Sequence, residues 1–149
     1  MKWLLSLLAV VLLYGCAKVR DPEFRRVDKF RLKNFGLEKV TIGFNVTYFN
    51  PNNFGVTVKE AEADVYMDTT YLGKFVQEST VGVNKNAEFS IPLSGEVSLQ
   101  TALKLNIQEL GSKPVLLKAN GSVKVGKAGI FVSKPVRYEG RHTLDDIKL

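Results

Sequence analysis

Apolar and polar residues alternate along most of the chain with a period of two, which is typical of β-strands. The clearest run lies in residues 40–49, where every second position is apolar: Val40, Ile42, Phe44, Val46 and Tyr48. The intervening positions, Thr47 among them, are mostly polar. This segment therefore predicts a strand with one buried side and one solvent-facing side.

Further alternating segments predict strands at residues 27–32, 56–67, 71–76, 89–93, 115–125 and 130–138. A change of parity between Val58 and Ala61 predicts a bulge near Lys59. Pro92 lies inside its strand and has no N–H for a ladder hydrogen bond, which predicts an edge position for that strand. Turn residues separate the segments at 50–55, 68–70, 84–86 and 126–129.

The period changes after Ser98. Apolar residues then recur at spacings of three and four, at Leu99, Ala102, Leu103, Ile107 and Leu110. This spacing predicts one helix that Ser98 caps and that ends before Gly111. About seven strands and one helix, without strand–helix alternation, predict an all-β fold of the antiparallel sandwich class.

The first 16 residues have the form of a targeting segment. Lys2 precedes an apolar run of 12 residues, which is short for a membrane-spanning helix but suits a secretory signal. Leu13-Tyr14-Gly15-Cys16 then resembles the bacterial lipoprotein box, in which a cysteine thiolate takes a diacylglyceryl group before the signal is removed. We therefore expect residues 1–15 to be a signal peptide and Cys16 to be lipidated. Cleavage after Ala17, giving a soluble chain, and an uncleaved anchor are the alternatives.

These features divide the chain into four parts. Residues 1–15 form the signal peptide, residues 16–23 the lipidated cysteine and a short linker, residues 24–140 the β-domain, and residues 141–149 a polar tail. No aspartate follows Cys16 directly, which by resemblance to the sorting rules of enteric bacteria favours the outer membrane. No acidic cluster typical of surface export follows it either, so we expect the domain to face the periplasm.

Composition excludes several kinds of site. The 21 basic and 15 acidic residues give a net charge of +6, but the basic residues are scattered, so no nucleic-acid partner is expected. One cysteine excludes a disulfide framework and a cysteine-rich zinc site, and one histidine argues against a multi-histidine metal site. We expect neither a metal nor a cofactor.

Candidate catalytic residues are few. His142 is the single imidazole and lies in a polar stretch, where we expect it at the surface. The adjacent carboxylates Asp145 and Asp146 are expected to face solvent. Residues 126–129 resemble a phosphate-binding loop only in composition, and a hairpin turn explains them better. No catalytic residue is therefore assigned, and the protein is not expected to be an enzyme.

An ordered set of motifs resembles the late embryogenesis abundant type 2 family, which shares the water-stress and hypersensitive-response domain. The set consists of a strand running into Asn50-Pro51-Asn52, then Tyr71-Leu72-Gly73, Ser90-Ile91-Pro92-Leu93, the helix, and Gly121-Ser122-Val123-Lys124-Val125. It covers roughly residues 24–140. The resemblance implies an immunoglobulin- or fibronectin-III-like sandwich with one helix between late strands, in a bacterial lipoprotein member of the family. It also implies a non-enzymatic role tied to desiccation or other envelope stress.

The family motif itself has a structural interpretation. Pro51 fixes its own φ and favours an extended Asn50, asparagine side chains bond nearby backbone, and Gly55 can take a positive φ. We therefore expect Asn50, Pro51, Asn52 and Gly55 to form a turn between two strands. Direct contact with a ligand is the alternative.

Three functional hypotheses remain. The leading one is a lipid-anchored, non-enzymatic envelope protein that acts through its surface as a stress-protective or partner-binding module. The second is a periplasmic carrier of an apolar ligand or lipid, with a crevice lined by Phe44, Tyr48, Phe75 and Phe131. The third is a structural subunit of an envelope complex. The expected partners are accordingly the membrane through Cys16, an envelope protein, or an apolar ligand.

Overall fold

The alternating segments form eight β-strands in the computed structural model, which describes residues 18–105 and 113–143 and contains one short helix in those ranges. The elements are β1 (Glu23–Phe35), β2 (Lys39–Asn50), β3 (Val56–Met67), β4 (Thr70–Gln77), β5 (Val81–Val83), β6 (Ala87–Ser98), α1 (Leu99–Lys104), β7 (Val115–Lys127) and β8 (Ile130–His142). The predicted all-β class is confirmed. The count is eight because Val81–Val83 pairs with β3 as a separate strand.

Every strand pairing is antiparallel, and the strand order is β1-β2-β6-β4-β3-β7-β8, with β5 on β3. β4 joins the two halves of this order. It pairs with β3 over most of its length, whereas only Phe75–Gln77 pair with β6. One half, β1-β2-β6, thus continues through β4 into the other half, β3-β7-β8, as in a sandwich whose layers share a connecting strand.

The core lies between these halves. Val58 of β3, Val83 of β5 and Ile91 of β6 form a buried cluster, each at most 8% exposed. Partly buried apolar residues pack around it: Val56, Ala61, Val81, Phe89, Leu93, Val123 and Val125. The cluster therefore joins residues from both layers, because β6 belongs to one half and β3, β5 and β7 to the other.

Thr47 departs from the alternation of β2. It was expected on the solvent-facing side, yet it is 1% exposed. Its hydroxyl lies 2.7 Å from the hydroxyl of Ser90, its register partner on β6. A hydroxyl that is hydrogen-bonded can be buried at little cost, so Thr47 is buried despite its polarity.

Two predicted backbone features are confirmed. The register of β3 against β7 shifts between Val58 and Glu60, where the bulge was expected. Residues 126–129 form the β7–β8 hairpin, in which Ala128 and Gly129 both have a positive φ, at 53° and 80°. Two positive φ angles are the signature of the tight hairpin turns that match strand twist.

Pro92 and the helix differ from expectation. β6 is an internal strand between β2 and β4 and not an edge strand. β4 pairs only with residues 93–95, so Pro92 lies just outside the β4–β6 ladder.

Ser98 caps α1 as predicted, because its hydroxyl accepts the N–H of Thr101 at 3.0 Å. The helix α1 ends at Lys104, and residues 106–110 of the predicted helix lie outside the described ranges. In residues 18–105 and 113–143, no helix has the length and apolarity that a bilayer-spanning segment needs.

Candidate functional site

The linker end of the sandwich is where β1 begins, β2 ends, and residues 50–55 meet the turn at residues 84–86. Register pairs Glu23 with Phe49 and Asn50 with Ala87, which brings these segments together. Cys16, the expected lipidation site, lies outside the described residues. The described chain starts two residues later and enters this end of the sandwich.

Asn50 is the centre of a buried amide network at the linker end. It is 4% exposed, and its Nδ2 donates to the carbonyl oxygens of Phe54 and Asn84, at 2.9 and 3.0 Å. Its Oδ1 accepts from the backbone N–H and from the Nδ2 of Asn52, at 3.1 and 3.0 Å. One side chain therefore fixes the 50–55 segment and attaches it to the connection between β5 and β6.

Asn52 binds the linker. Its Oδ1 accepts the backbone N–H of Arg20 at 2.9 Å, and its Nδ2 donates to the backbone carbonyl of Arg20 at 2.7 Å. The Arg20 guanidinium also donates to the Pro51 carbonyl oxygen. The Asn52 carbonyl accepts the N–H of Asn86 at 3.0 Å. We call the Arg20–Asn52 pairing the linker clamp: an amide side chain pairs with linker backbone as a neighbouring strand would.

Gly55 is needed in the 50–55 segment for a different reason from the positive φ that was expected. Its φ is not positive. A Cβ at this position would instead lie 2.7 Å from the carbonyl oxygen of Val83, closer than real Cβ atoms approach backbone. Glycine is therefore required at residue 55 because two backbone segments approach closely, and not because of an unusual φ.

His142 is half-buried and does not lie free at the surface. Its Nε2 is hydrogen-bonded to the hydroxyl of Tyr138, and its ring lies 6.4 Å from that of Phe24. Phe24 also contacts Tyr138 and Tyr48, at 5.2 and 5.9 Å between ring centroids. Burial raises the pKa of both tyrosines above the usual value.

The last strand continues into the segment that was predicted to be a polar tail. β8 ends at His142, so it includes the first two residues of that segment. Asp145 and Asp146 lie outside the described residues.

The four aromatic residues proposed to line a crevice pack against different neighbours. Phe75 is 2% exposed and packs against Phe44, at 5.1 Å between ring centroids. Tyr48 stacks on Phe89 at 5.9 Å, while Phe131 lies under the ammonium group of Lys59 at 5.2 Å. A groove among the described residues has a volume of about 340 Å³ and is lined by Glu60, Ala61, Glu62, Val76, Gln77, Ser122, Lys124 and Ser133. None of the four aromatic residues lines it.

Three of the nine large apolar side chains that are exposed in the described ranges lie at the opposite end of the sandwich. Phe35, the last residue of β1, is 67% exposed, and Leu37, on the connection between β1 and β2, is 97% exposed. This connection meets α1, because the N–H of Leu99 donates to the Glu38 carbonyl at 2.8 Å. On α1, Leu103 is 76% exposed. We call Phe35, Leu37 and Leu103 the apolar tip.

In the described ranges, no group of three or more acidic, histidine or cysteine side chains is arranged to hold a metal ion.

Sequence analysis did not identify Arg20 or the apolar tip. Arg20 was part of an unassigned linker, and its partner Asn52 is 32 residues away, so no local pattern reports the contact. Leu37 did carry a signal that could have been used: it is an apolar residue between Gly36 and Glu38, in a connection where polar residues are usual.

Comparisons with known proteins show the fold alone. No protein-family model matches the chain, and neither does any curated protein. A crystal structure of a protein from Archaeoglobus fulgidus is similar, with a TM-score of 0.51 and 10% identity, over 81% of this chain and 97% of that one. A solution structure of a protein from Arabidopsis thaliana has a TM-score of 0.48 and 13% identity, over 87% of this chain and 88% of that one.

Proposed function

We propose that this protein is a lipid-anchored, non-enzymatic component of a bacterial envelope, which acts through its surface as a partner-binding module in the response to envelope stress. The apolar tip is the observation that carries this proposal. Three large apolar side chains, each at least 67% exposed, lie at one end of a domain whose other end receives the linker. A contiguous exposed apolar patch marks an interaction surface, and we propose that these three side chains form one.

The anchor is supported by the sequence. The single cysteine of the chain follows a charged start, an apolar run and a small residue at Gly15. A thiol-linked diacylglyceryl group with an acylated amine provides more than one chain, which suffices for stable attachment because each buried methylene contributes about 0.8 kcal/mol. The sequence after Cys16 favours the outer membrane, with the domain in the periplasm.

The stress role is supported by the resemblance to the late embryogenesis abundant type 2 family. That resemblance rests on the order of the Asn-Pro-Asn, Tyr-Leu-Gly and Gly-x-Val-x-Val motifs. A partner at the apolar tip gives such a role a physical form, because the protein would cover an apolar surface on another envelope component.

The anchor is tested by the intact mass of the full-length protein, expressed in a bacterium, and by its distribution between membrane and soluble fractions. We expect the mass of residues 16–149 plus acyl chains, in the membrane fraction. Cys16→Ser is the matched control, which keeps the signal and removes the thiol. A soluble wild-type species that starts at Lys18 would contradict the anchor.

Partner binding is tested by a photo-crosslinking amino acid at Leu37 in intact envelopes of the native bacterium. The matched control is the same amino acid at Thr69, an exposed polar position in the β3–β4 turn. We expect one defined adduct from residue 37, none from residue 69, and loss of that adduct when Leu103→Asp is added. Equal labelling at both positions would contradict a specific surface.

A further inference from the structure

The linker clamp has a geometric consequence for the membrane anchor. Arg20 is four residues after Cys16, and a fully extended chain spans at most about 3.5 Å per residue, so Cys16 lies within about 14 Å of Arg20. Without the clamp, the first fixed residue would be Glu23, and the corresponding reach would be about 25 Å. The clamp therefore holds the linker end of the sandwich close to the point where the acyl chains begin.

The opposite end is too far away to take its place. β1 and β2 are antiparallel, so Phe35 and Glu23 lie at opposite ends of β1. Twelve residue steps at about 3.3 Å separate them by roughly 40 Å, somewhat less with the bulges of β1. The apolar tip therefore lies well beyond the reach of the clamped linker.

The chemistry of the linker end suits lipid headgroups. The linker and the two connections, residues 17–22, 51–55 and 84–86, contain three basic residues, Lys18, Arg20 and Lys85, and one acidic residue, Asp21. The other exposed side chains of the two connections are the uncharged amides of Asn53, Asn84 and Asn86. A small basic excess with neutral hydrogen-bonding groups complements an anionic bilayer surface.

We propose that the linker end is the membrane-facing surface of the domain, that the linker clamp holds it against the bilayer, and that the apolar tip consequently points away from the lipid. The proposal rests on the lipid anchor proposed above and adds an orientation to it. The occupant of the linker end is the lipid surface. The apolar tip would then bind a protein partner at some distance from the membrane.

Tryptophan fluorescence tests this orientation directly. The only tryptophan of the chain is Trp3, within the expected signal, so the mature protein offers no background. Two variants place one tryptophan at an exposed position: Asn53→Trp at the linker end and Leu37→Trp at the apolar tip. The acylated proteins, with far-UV circular dichroism equal to that of the parent, are incorporated into phosphatidylethanolamine–phosphatidylglycerol vesicles that contain a lipid with a nitroxide on its headgroup.

We expect several-fold stronger quenching at residue 53 than at residue 37. Equal quenching, stronger quenching at residue 37, or weak quenching at both would overturn the orientation. Weak quenching at both would show that neither end of the domain lies at the lipid surface.

The clamp is tested in the Asn53→Trp protein. Arg20→Pro removes the N–H that Asn52 Oδ1 accepts and should reduce the quenching, whereas Arg20→Ala keeps both backbone bonds and should preserve most of it. Unchanged quenching in Arg20→Pro would refute the role of the clamp.

Failure of the anchor is seen separately, as an intact mass without acyl chains. In that case residues 16–149 with the same tryptophans are coupled through the Cys16 thiol to a maleimide lipid in the same vesicles. The quenching ratio then decides the orientation independently of lipidation in the cell.

Discussion

Replacing Asn50 with alanine removes the centre of the amide network at the linker end. The side chain makes four hydrogen bonds, two as donor and two as acceptor, and is 4% exposed. A hydrogen bond contributes about 1 kcal/mol net, and buried partners left unpaired cost at least as much. We expect Asn50→Ala to lower the free energy of unfolding by about 3–4 kcal/mol, which is large against the 5–15 kcal/mol that is usual for a domain.

Urea unfolding of residues 16–149, followed by far-UV circular dichroism, measures this loss. With a slope of about 1.5 kcal/mol/M, the unfolding midpoint should fall by about 2 M. Asn53→Ala is the matched control, because Asn53 is exposed in the same segment and should change stability by less than about 0.5 kcal/mol. A loss below about 1 kcal/mol in Asn50→Ala, at unchanged slope, would refute the assignment of the network as a stabilising centre.

Asn50→Asp removes the hydrogen-bond donor of the side chain and leaves the side-chain volume nearly unchanged. An aspartate carboxylate keeps the acceptor for Asn52 but faces the carbonyl oxygens of Phe54 and Asn84 without a proton to donate. Its folded-state pKa is therefore raised, and stability is lost as the pH rises through that pKa. We expect Asn50→Asp to be less stable than Asn50→Ala at pH 7 and to recover relative to it towards pH 4. Parallel pH profiles for the two variants would contradict this explanation.

Three further predictions use other contacts. A Cβ at Gly121 would lie 1.8 Å from the Glu62 carbonyl oxygen, so Gly121→Ala should prevent native folding, whereas Gly82→Ala, with open space around the Cβ, should leave the urea midpoint nearly unchanged. The pKa of Glu78 is lowered by its hydrogen bond to a lysine, so wild-type stability is lost as the pH falls through that pKa, and Glu78→Gln should flatten the acid arm of a pH–stability profile. Burial raises the pKa of Tyr48, so the stability that the neutral phenol contributes is lost as the pH rises through that pKa. Tyr48→Phe should therefore keep its melting temperature up to a higher pH than the wild type does, and an equal fall of the melting temperature at alkaline pH in both proteins would contradict this.

The sequence predicted what depends on neighbouring residues. The alternation at residues 40–49 predicted β2, the parity change predicted the β3 bulge, and the glycine-containing segment at 126–129 predicted the last hairpin. Each feature is encoded within about ten residues, because strand faces and turn angles are set locally.

The features that sequence analysis missed depend on contacts between distant segments. Arg20 meets Asn52, and Phe24 meets His142, only after the strands have paired. The burial of Thr47 depends on a hydroxyl that β6 supplies. Gly55 suggested a positive φ, whereas its real constraint comes from the Val83 backbone. Propensity rules describe a residue in its own segment and contain no information about these partners.

β1 has a mechanical consequence for an anchored protein with a partner at its tip. The strand begins beside the clamped linker and ends at Phe35, so one uninterrupted stretch of backbone connects the two points where force would be applied. Tension between bilayer and partner would then be carried by covalent bonds along β1. The inter-strand hydrogen bonds would not lie in series with the load, so tension between these two points would not pull the strands of the sheet apart.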